Sequence, residues 1–404
     1  MREAPAHSPL SFEEARQIVI ETVRALPHLR ALETVPLDQA HGRRIAEPLR
    51  ADRDYPALRR SLRDGFAVRS SDLPGTLRTR GELRAGDHTE AALMAGEAIE
   101  IMTGAPIPEG ADAVVMIEHV AVGNGTIHIE RSAEPGQFIN DRGAEVRADA
   151  QLITQGTKLD ASHIAALASA GRSSLTVFAR PRVAILSTGD EIVELGESPK
   201  PHQVRNSNSH MLAALVRSAG GEATILPIAR DTRAALDPLL VQGLAYDMLV
   251  ISGGVSAGKY DLVKPALREL GALFYFERVR IQPGQPATFA TRAGKPVFGL
   301  PGNPGSSLVT FALFARAALE LLAGDPEPVL PLLSARFEAP FRHKPGLTRF
   351  LPAQLSQDGQ HLRHIPWQGS SDIPALASAN CFLVADYDRE SWEVGDSIRV
   401  LEKW

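Results

Sequence analysis

Two stretches, residues 182–191 (RVAILSTGDE) and residues 247–258 (DMLVISGGVSAG), decide the predicted fold. Each is a short apolar run, typical of a buried β-strand, that ends in a glycine-containing loop. Strand-like and helix-like segments alternate around them, and this alternation predicts a central, doubly wound, mostly parallel α/β domain with helices on both faces. The predicted helices cover 209–221, 231–244, 261–271 and 306–324, and the further predicted strands cover 222–229, 272–281 and 295–300.

The flanking sequence predicts further domains, so the chain is α/β plus β and multidomain. An amphipathic helix over 11–26 begins with Ser11 and has Glu14 three residues on, which is a capping-box pattern. Residues 50–145 contain short β-like runs separated by Gly and Pro turns, and residues 326–404 return to β-like runs. A β-rich domain and a C-terminal β domain are therefore expected.

Composition excludes several classes of protein. The 404 residues exceed one ordinary core and carry a net charge of −5, with basic and acidic residues interspersed, which argues against a nucleic-acid partner. No stretch approaches the roughly 20 consecutive apolar residues of a membrane span. The single cysteine, Cys381, cannot form an internal disulfide, and residues 1–19 have no apolar core of signal-peptide length. A cytoplasmic location is expected.

Four loops are unusual, and all are predicted at the carboxyl-terminal edge of the parallel sheet, where ligands of such sheets bind. Glycine permits close approach of the backbone to an oxyanion, and hydroxyl groups and helix N-termini supply donors, so the set suits a phosphorylated ligand. One such loop is more often a plain turn, but four at one edge indicate a binding site. The loops are Ser187–Glu191, Asn206–Ser209, Ser252–Gly258 and Pro301–Gly305.

The same edge carries a sequence similar to a nucleotide-binding motif and four carboxylates. Residues 253–259 fit G-x-x-x-x-G-K, but Tyr260 stands where a nucleotide-binding P-loop has Ser or Thr for magnesium. The carboxylates of Asp190, Glu191, Asp231 and Asp261 are hard oxygen ligands that could hold Mg²⁺ beside phosphates. Helix capping is the competing explanation, and for Asp231 the two are equally good.

Read together with two upstream segments, these loops resemble the molybdopterin molybdenumtransferase family, the bacterial MoeA proteins and the corresponding domain of gephyrin. Residues 63–68 (RDGFAV) are similar to the family's M-D-G-[YF]-A-V, and residues 101–106 (IMTGAP) are similar to its T-G-A segment. The family's T-G-D-E, S-N, G-G-V-S-x-G and P-G-N-P elements follow in order in the central domain. The resemblance covers nearly the whole chain.

The resemblance implies an activity and an architecture. The family takes adenylylated molybdopterin, releases AMP in a step that depends on molybdate and a divalent cation such as Mg²⁺, and leaves molybdenum on the dithiolene. Its members are homodimers with an active site shared between subunits, and they function beside other molybdenum cofactor biosynthesis proteins. The implied domains are a segment-swapped linker domain (7–49 and 146–178), a β-rich domain (50–145), a molybdopterin-binding α/β domain (179–325) and a C-terminal β-barrel domain (326–404).

The resemblance also implies site residues. Asp64, Thr103, Glu191 and Asp261 are expected to be catalytic, and Glu191, Asp231 and Asp261 are expected to hold the metal. The expected ligand-binding residues are Ser187, Thr188, Gly189, Asp190, Ser207, Asn208, Gly253, Gly254, Ser256, Gly258, Gln282, Gln285, Pro301, Gly302, Asn303, Pro304 and Ser370.

One segment departs from the family pattern. The family commonly has K-P-G-K-P, whose lysines are thought to meet molybdate, where this chain has Gln282 and Gln285. Glutamine donates only neutral hydrogen bonds, which are about half as strong as charge-assisted ones. Arg280, two residues earlier on the predicted strand, would share a face with Gln282 and restore one charge. Because of this departure, a second interpretation stays open. The chain could be a divergent paralogue that binds molybdopterin as a scaffold or carrier, or that modifies another pterin or nucleotide.

Overall fold

The computed structural model describes residues 10–26, 31–88, 92–255 and 261–403. The predicted ligand-binding residues Ser256 and Gly258 lie outside the described residues. We number the helices and strands in chain order, from α1 to α8 and from β1 to β28, and give their bounds by region.

Before the α/β domain, the chain contains two α-helices and twelve strands among the described residues. The first region has α1 (Phe12–Ala25), β1 (Leu32–Pro36) and β2 (Leu49–Arg50). The second has β3 (Arg60–Ser61), β4 (Gly65–Val68), β5 (Gly75–Leu83), β6 (Glu97–Ile101), β7 (Ala113–Met116), β8 (Ala121–Val122), β9 (Thr126–Ile129) and β10 (Ile139–Asn140). The third has β11 (Gln151–Ile153), α2 (Ala161–Ser169) and β12 (Ser174–Phe178).

The remaining elements form the α/β domain and the C-terminal domain. The α/β region has β13 (Arg182–Ser187), β14 (Ile192–Val193), β15 (Val204–Arg205), α3 (Ser207–Ser218), β16 (Glu222–Ile225), α4 (Arg233–Gly243), β17 (Met248–Ser252), α5 (Val263–Glu269), β18 (Leu273–Phe276), β19 (Ile281–Gln282), β20 (Thr288–Arg292), β21 (Lys295–Leu300), α6 (Pro304–Thr310), a π-helical turn (Phe311–Ala315) and α7 (Arg316–Leu322). The last region has β22 (Leu332–Phe337), β23 (Phe341–Arg342), β24 (Thr348–Leu355), β25 (His361–His364), α8 (Ile373–Ser378), β26 (Cys381–Ala385), β27 (Ser391–Trp392) and β28 (Ser397–Glu402).

The predicted α/β sheet is confirmed. Its strand order is β16-β13-β17-β21-β20-β18; the first four strands are parallel, and β20 is antiparallel to both of its neighbours. Side chains of β13 alternate between two cores: Val183 and Ile185 pack with α3, α6 and α7, whereas Ala184 and Leu186 pack with α4 and α5. Helices therefore cover both faces, as the strand–helix alternation predicts.

The structure departs from the local expectations in this domain at three points. Residues 272–281 do not form one strand, because β18 belongs to the α/β sheet whereas β19 pairs with β24 in the C-terminal sheet. Strand β20 was not predicted from its mixed sequence, although it joins β21 in a hairpin. Asp231 does not cap α4; the Thr232 hydroxyl accepts from the Ala235 amide at 3.3 Å instead.

A linker domain forms from two segments separated by the β-rich domain. Strand β1 pairs with β12 and β2 pairs with β11, so the chain leaves this unit, builds the β-rich domain and returns. The amphipathic helix α1 has the predicted capping box, with the Ser11 hydroxyl accepting from the Glu14 amide at 3.2 Å. Its buried side chains, including Phe12 and Val19, pack into the core of the α/β domain.

The β-rich domain and the C-terminal domain are both confirmed as β structures. The β-rich domain is a curled mixed sheet in the order β7-β4-β6-β5-β9-β8. In the C-terminal domain, β24, β25, β22, β28 and β26 close into a five-stranded barrel through the pairing of β24 with β26. Strand β19 continues this sheet, which fixes the barrel against the α/β domain.

One helical run in the described part of the chain, Pro304–Leu322, is long and apolar enough to cross a membrane. Its most apolar window is 89% buried inside the protein. It forms the central helix of the larger core, where Phe311 and Phe314 are fully enclosed.

Candidate active site

A cavity of about 960 Å³ opens at the carboxyl-terminal ends of β13, β17 and β21. This is the edge at which the sequence predicts a ligand site, since parallel strands end together there. The predicted metal ligands Asp231 and Asp261 line it. Predicted residues from all four loops also line it, and they are Thr188, Gly189, Glu191, Ser207, Asn208, Gly253, Gly254, Pro301, Gly302, Asn303 and Pro304.

Glycines allow the loops after β13 and β17 to pack against each other. Gly253 (φ +93°) and Gly254 (φ +65°) adopt backbone conformations that L side chains rarely adopt. A Cβ at Gly253 would lie 2.6 Å from the Thr188 carbonyl oxygen, and one at Gly254 would lie 2.8 Å from Thr188 Oγ1. The cavity floor is therefore bare backbone, which can approach a bound oxyanion closely.

Asn208, in the first turn of α3, joins three of the loops. Its amide donates to the Ser252 hydroxyl at 2.8 Å and to the Gly302 carbonyl at 2.7 Å. Its own carbonyl oxygen, and the hydroxyl of Thr188, are buried without a hydrogen-bond partner among the described residues. Buried polar atoms are normally paired, so these two atoms are candidates for contact with a ligand.

Ser187 lies behind the cavity wall and does not line it. Its hydroxyl contacts Asn206 Oδ1 at 3.0 Å and the Ser209 hydroxyl at 2.7 Å. Asn206 also accepts from the Ser209 amide as the N-cap of α3. Ser187 therefore positions the N-terminus of α3, whereas the sequence predicts that it contacts the ligand.

Two aspartates hold the rim of the cavity together. The Asp231 amide donates to Asp190 Oδ1 at 3.1 Å, and the Asp190 amide donates to Asp231 Oδ2 at 3.4 Å. Asp231 lines the cavity, but Asp190 does not. The Glu191 carboxylate folds over Gly189, where an added Cβ would clash with Glu191 Oε2.

Asp261 is the most enclosed carboxylate of the cavity. Its side chain is 9% exposed, Lys264 Nζ lies 3.1 Å from Oδ2, and neither oxygen has a well-oriented hydrogen bond from a described residue. Burial raises the pKa of Asp261, and Lys264 opposes the shift. Within the described ranges, no three Asp, Glu, His or Cys side chains form a cluster that could hold a metal. Glu191, Asp231 and Asp261 thus share a cavity without forming a ready-made cage.

Asp64 and Thr103 come together, although 39 residues separate them. The Thr103 amide and hydroxyl donate to Asp64 Oδ1 at 2.6 Å and 2.7 Å, and these bonds lower the pKa of Asp64. The pair is exposed on the β-rich domain and does not line the cavity of its own chain.

The segment containing Gln282 and Gln285 contributes Pro286, but neither glutamine, to the cavity lining. Gln282 is exposed, and Gln285 is half-buried. Arg280 precedes β19, and its guanidinium lies 5.0 Å from the ring centroid of Tyr387. Arg280 therefore contacts the C-terminal domain and does not line the cavity, so it adds no positive charge there.

Several lining residues were not predicted. Ser371 and Ile373 come from the C-terminal domain, and predicted Ser370 lies behind them, where its hydroxyl accepts from Asn303 at 2.9 Å. Arg205 lines the rim near the apolar Ile192, Pro199 and Val204. The position of Arg205 directly before the Asn206 cap could have indicated that it lies at the site. A single arginine is usually a solvent-exposed surface residue, however, so this signal is weak.

Comparison with known proteins agrees with this geometry. Three family models match in order: MoeA N-terminal region (domain I and II) over residues 10–171, probable molybdopterin binding domain over 184–321, and MoeA C-terminal region (domain IV) over 334–403. Molybdopterin molybdenumtransferase 2 of Mycobacterium tuberculosis is 34% identical over 96% of this chain and 98% of its own length. Molybdopterin molybdenumtransferase of a Nostoc species is 37% identical over 78% of this chain and 74% of its own length.

A solved structure extends the likeness to the fold. The molybdopterin biosynthesis MoeA protein of Pyrococcus horikoshii is 31% identical and covers 98% of this chain and 100% of its own, with a TM-score of 0.81. With three family models in the expected order, a full-length relative and a full-length structural match, this chain belongs to the molybdopterin molybdenumtransferase family of molybdenum cofactor biosynthesis.

Proposed function

We propose that the chain is a molybdopterin molybdenumtransferase, which inserts molybdenum from molybdate into adenylylated molybdopterin and releases AMP. One observation carries the proposal: glycine-rich loops at the ends of β13, β17 and β21 form a large cavity whose buried Thr188 hydroxyl and Asn208 carbonyl lack described partners. A phosphorylated pterin that fills this cavity would supply hydrogen-bond partners for both groups.

The loops would bind the substrate through backbone and neutral donors. Gly253 and Gly254 leave space for phosphate oxygens, and the α3 N-terminus at Ser207 and Asn208 contributes a favourable dipole. Arg205 is the single cation among the described lining residues, and its Nε donates to the Leu195 and Glu197 carbonyls at 3.2 Å. These bonds would leave the terminal nitrogens of Arg205 for an anionic ligand.

The carboxylates fit Mg²⁺, which prefers oxygen ligands and usually takes one or two carboxylates together with substrate phosphates. Asp261, with two buried oxygens that lack well-oriented donors, is the strongest candidate ligand, and Glu191 and Asp231 line the same cavity. When bound there, the ion would supply Lewis-acid stabilisation of the phosphoanhydride oxygens.

We further propose a cytoplasmic homodimer that functions beside other molybdenum cofactor biosynthesis proteins. The hydrogen-bonded pair of Asp64 and Thr103 supports a shared site. Both residues lie within segments similar to the family's motifs, yet neither lines the cavity of its own chain. A second subunit would bring this pair to the cavity. The buried position of helix Pro304–Leu322 and the unpaired Cys381 support the location.

A second candidate function is a molybdopterin carrier without molybdate chemistry. The charges of the lining favour it. Three carboxylates and one arginine line the cavity, and this negative excess disfavours binding of the molybdate dianion that a transferase needs. Neither Gln282 nor Gln285 adds a positive charge.

One assay separates the two candidates. Purified protein is given adenylylated molybdopterin and Mg²⁺, with and without molybdate, and AMP release is measured. The transferase predicts molybdate-stimulated release that Glu191→Ala suppresses, while Glu130→Ala, which removes an exposed carboxylate of the β-rich domain, leaves it unchanged. Tight pterin binding with no molybdate response would establish the carrier and reject the transferase.

A further inference from the structure

A second, smaller cavity lies where the linker domain meets the α/β domain. It measures about 70 Å³, well above the ~10–15 Å³ that one water molecule needs. The linker domain contributes residues 42–44 and Lys158, the connection that follows β12 contributes Arg180, and the ends of α3 and α7 complete the wall. The cavity is separate from the candidate active site and shares no lining residue with it.

The lining of this junction cavity is strongly basic. Of the lining residues that the structure describes, one is a carboxylate, Glu320, and five are cations: Arg43, Arg44, Lys158, Arg180 and Arg316. This concentration occurs in a chain whose net charge is −5. A small cavity lined mainly by one sign of charge attracts counter-ions of the other sign.

Internal partners neutralise only part of this charge. Arg43 pairs with Glu33, Arg44 with Asp325, and Arg316 with Glu320 at 2.6 Å. Lys158 and Arg180 are exposed, and their side chains make no hydrogen bond or ion pair with the described residues. Two positive charges therefore remain beside a polar enclosure.

The backbone places two of the cations opposite each other. Arg44 and Lys158 form an antiparallel β-bridge, so their side chains leave neighbouring strands at the same level. Like charges that face each other across strands destabilise the pair. Asp325 already pairs with Arg44, so an anion between the two side chains would give Lys158 its partner and remove the remaining repulsion.

The end of α3 does not account for the cations. Helix C-termini attract positive side chains through their free carbonyl groups. Here the Leu215, Val216 and Arg217 carbonyls accept from backbone amides at residues 219–221. Among the described residues, Arg43 and Arg44 donate instead to the Phe178 and Gly156 carbonyls, at 2.8 Å and 2.7 Å.

We propose that the junction cavity binds a small tetrahedral oxyanion, of the class of inorganic phosphate, sulfate or molybdate, between Arg44, Lys158 and Arg180. The bound anion fastens the linker domain to the α/β domain, because its ligands come from both sides of the junction. This inference does not depend on the proposed transferase activity, since none of the three residues belongs to the candidate active site.

The test measures the melting temperature of the full chain as phosphate, sulfate or molybdate is added, with sodium chloride at matched ionic strength. A ligand that binds only the folded state raises the melting temperature in a concentration-dependent way. We expect such a rise in the wild type, and its loss in Lys158→Ala/Arg180→Ala. The anion that raises the melting temperature at the lowest concentration is the preferred ligand. The matched control, Arg172→Ala/Arg278→Ala, removes two exposed cations away from the cavity and should keep the rise.

A charge reversal supplies a second, independent readout. Lys158→Glu places a carboxylate opposite Arg44, so it should raise the melting temperature without any added anion and abolish the response to phosphate. The proposal is overturned if chloride alone reproduces the rise, if the wild type shows no rise, or if the Lys158→Ala/Arg180→Ala variant responds like the wild type.

Discussion

The Asn208 amide donates a 2.8 Å hydrogen bond to the Ser252 hydroxyl and so ties the start of α3 to the end of β17. The same amide holds the Gly302 carbonyl at 2.7 Å, which brings in the loop before α6. One buried side chain thus fixes three loops of the candidate active site relative to each other.

Asn208→Ala should therefore loosen the cavity and destabilise the protein. The change removes the donor to the buried Ser252 hydroxyl and to the part-buried Gly302 carbonyl, and an unpaired buried polar group costs about 1–3 kcal/mol. Urea unfolding measures this cost, and pterin binding should weaken in parallel. Ser207→Ala is the matched control, because Ser207 lines the same cavity from the same helical turn. Equal losses in both variants would contradict the role given to Asn208.

Complementation tests the shared site proposed for the dimer. Asp64→Ala and Glu191→Ala should each abolish most AMP release, since each damages a different part of every site. Heterodimers made by co-expressing the two variants regain one intact site if Asp64 of one subunit serves the cavity of the other. Co-expression of Asp64→Ala with Thr103→Ala is the control and should recover nothing, because both changes damage the same half. No recovery in the first mixture would reject the shared site.

Lysine substitution tests the departure at residues 282–285. Gln282→Lys/Gln285→Lys restores two charges near Pro286, and charge-assisted hydrogen bonds to an anion are about twice as strong as neutral ones. The molybdate concentration that gives half-maximal AMP release should fall. Gln151→Lys/Gln242→Lys, at exposed positions of β11 and α4, controls for the same change in net charge. An unchanged molybdate response would mean that this segment does not meet molybdate.

The C-terminal barrel should lose stability in mild acid. Burial lowers the pKa of His364, whose ring centroid lies 5.3 Å from that of Phe341. His364 therefore binds a proton more weakly in the folded protein than in the unfolded chain. Its contribution to the free energy of unfolding is complete above the ordinary histidine pKa of about 6.5 and declines as the pH falls below that value.

Melting temperatures measured from about pH 7 to about pH 5 check this expectation, because histidine titrates in that range. His364→Leu should flatten the profile. His361→Leu, on the exposed side of the same strand, should keep the wild-type shape. A profile that stays steep in His364→Leu would assign the acid sensitivity to another group.

The sequence predicted the position of the cavity because this prediction needed only local signals. Apolar runs such as 182–187 mark strands, and parallel strands place their terminal loops at one edge. Asp231 shows the limit of such reasoning. Its neighbour Thr232 caps α4 equally well in sequence terms, and only the backbone path decides between them.

Contacts between distant segments were decided by tertiary structure. Asn303 meets Ser370 only because β19 fastens the barrel to the α/β domain, and Arg44 faces Lys158 only because the linker domain is built from two separated segments. The sequence by itself determined the helices, the buried parallel strands β13, β17 and β21 and the glycine loops, since these depend on neighbours within a few residues; it missed β20 and joined β18 to β19. Packing alone determined which loops, charges and domains meet, because burial of side chains joins residues without regard to their separation along the chain.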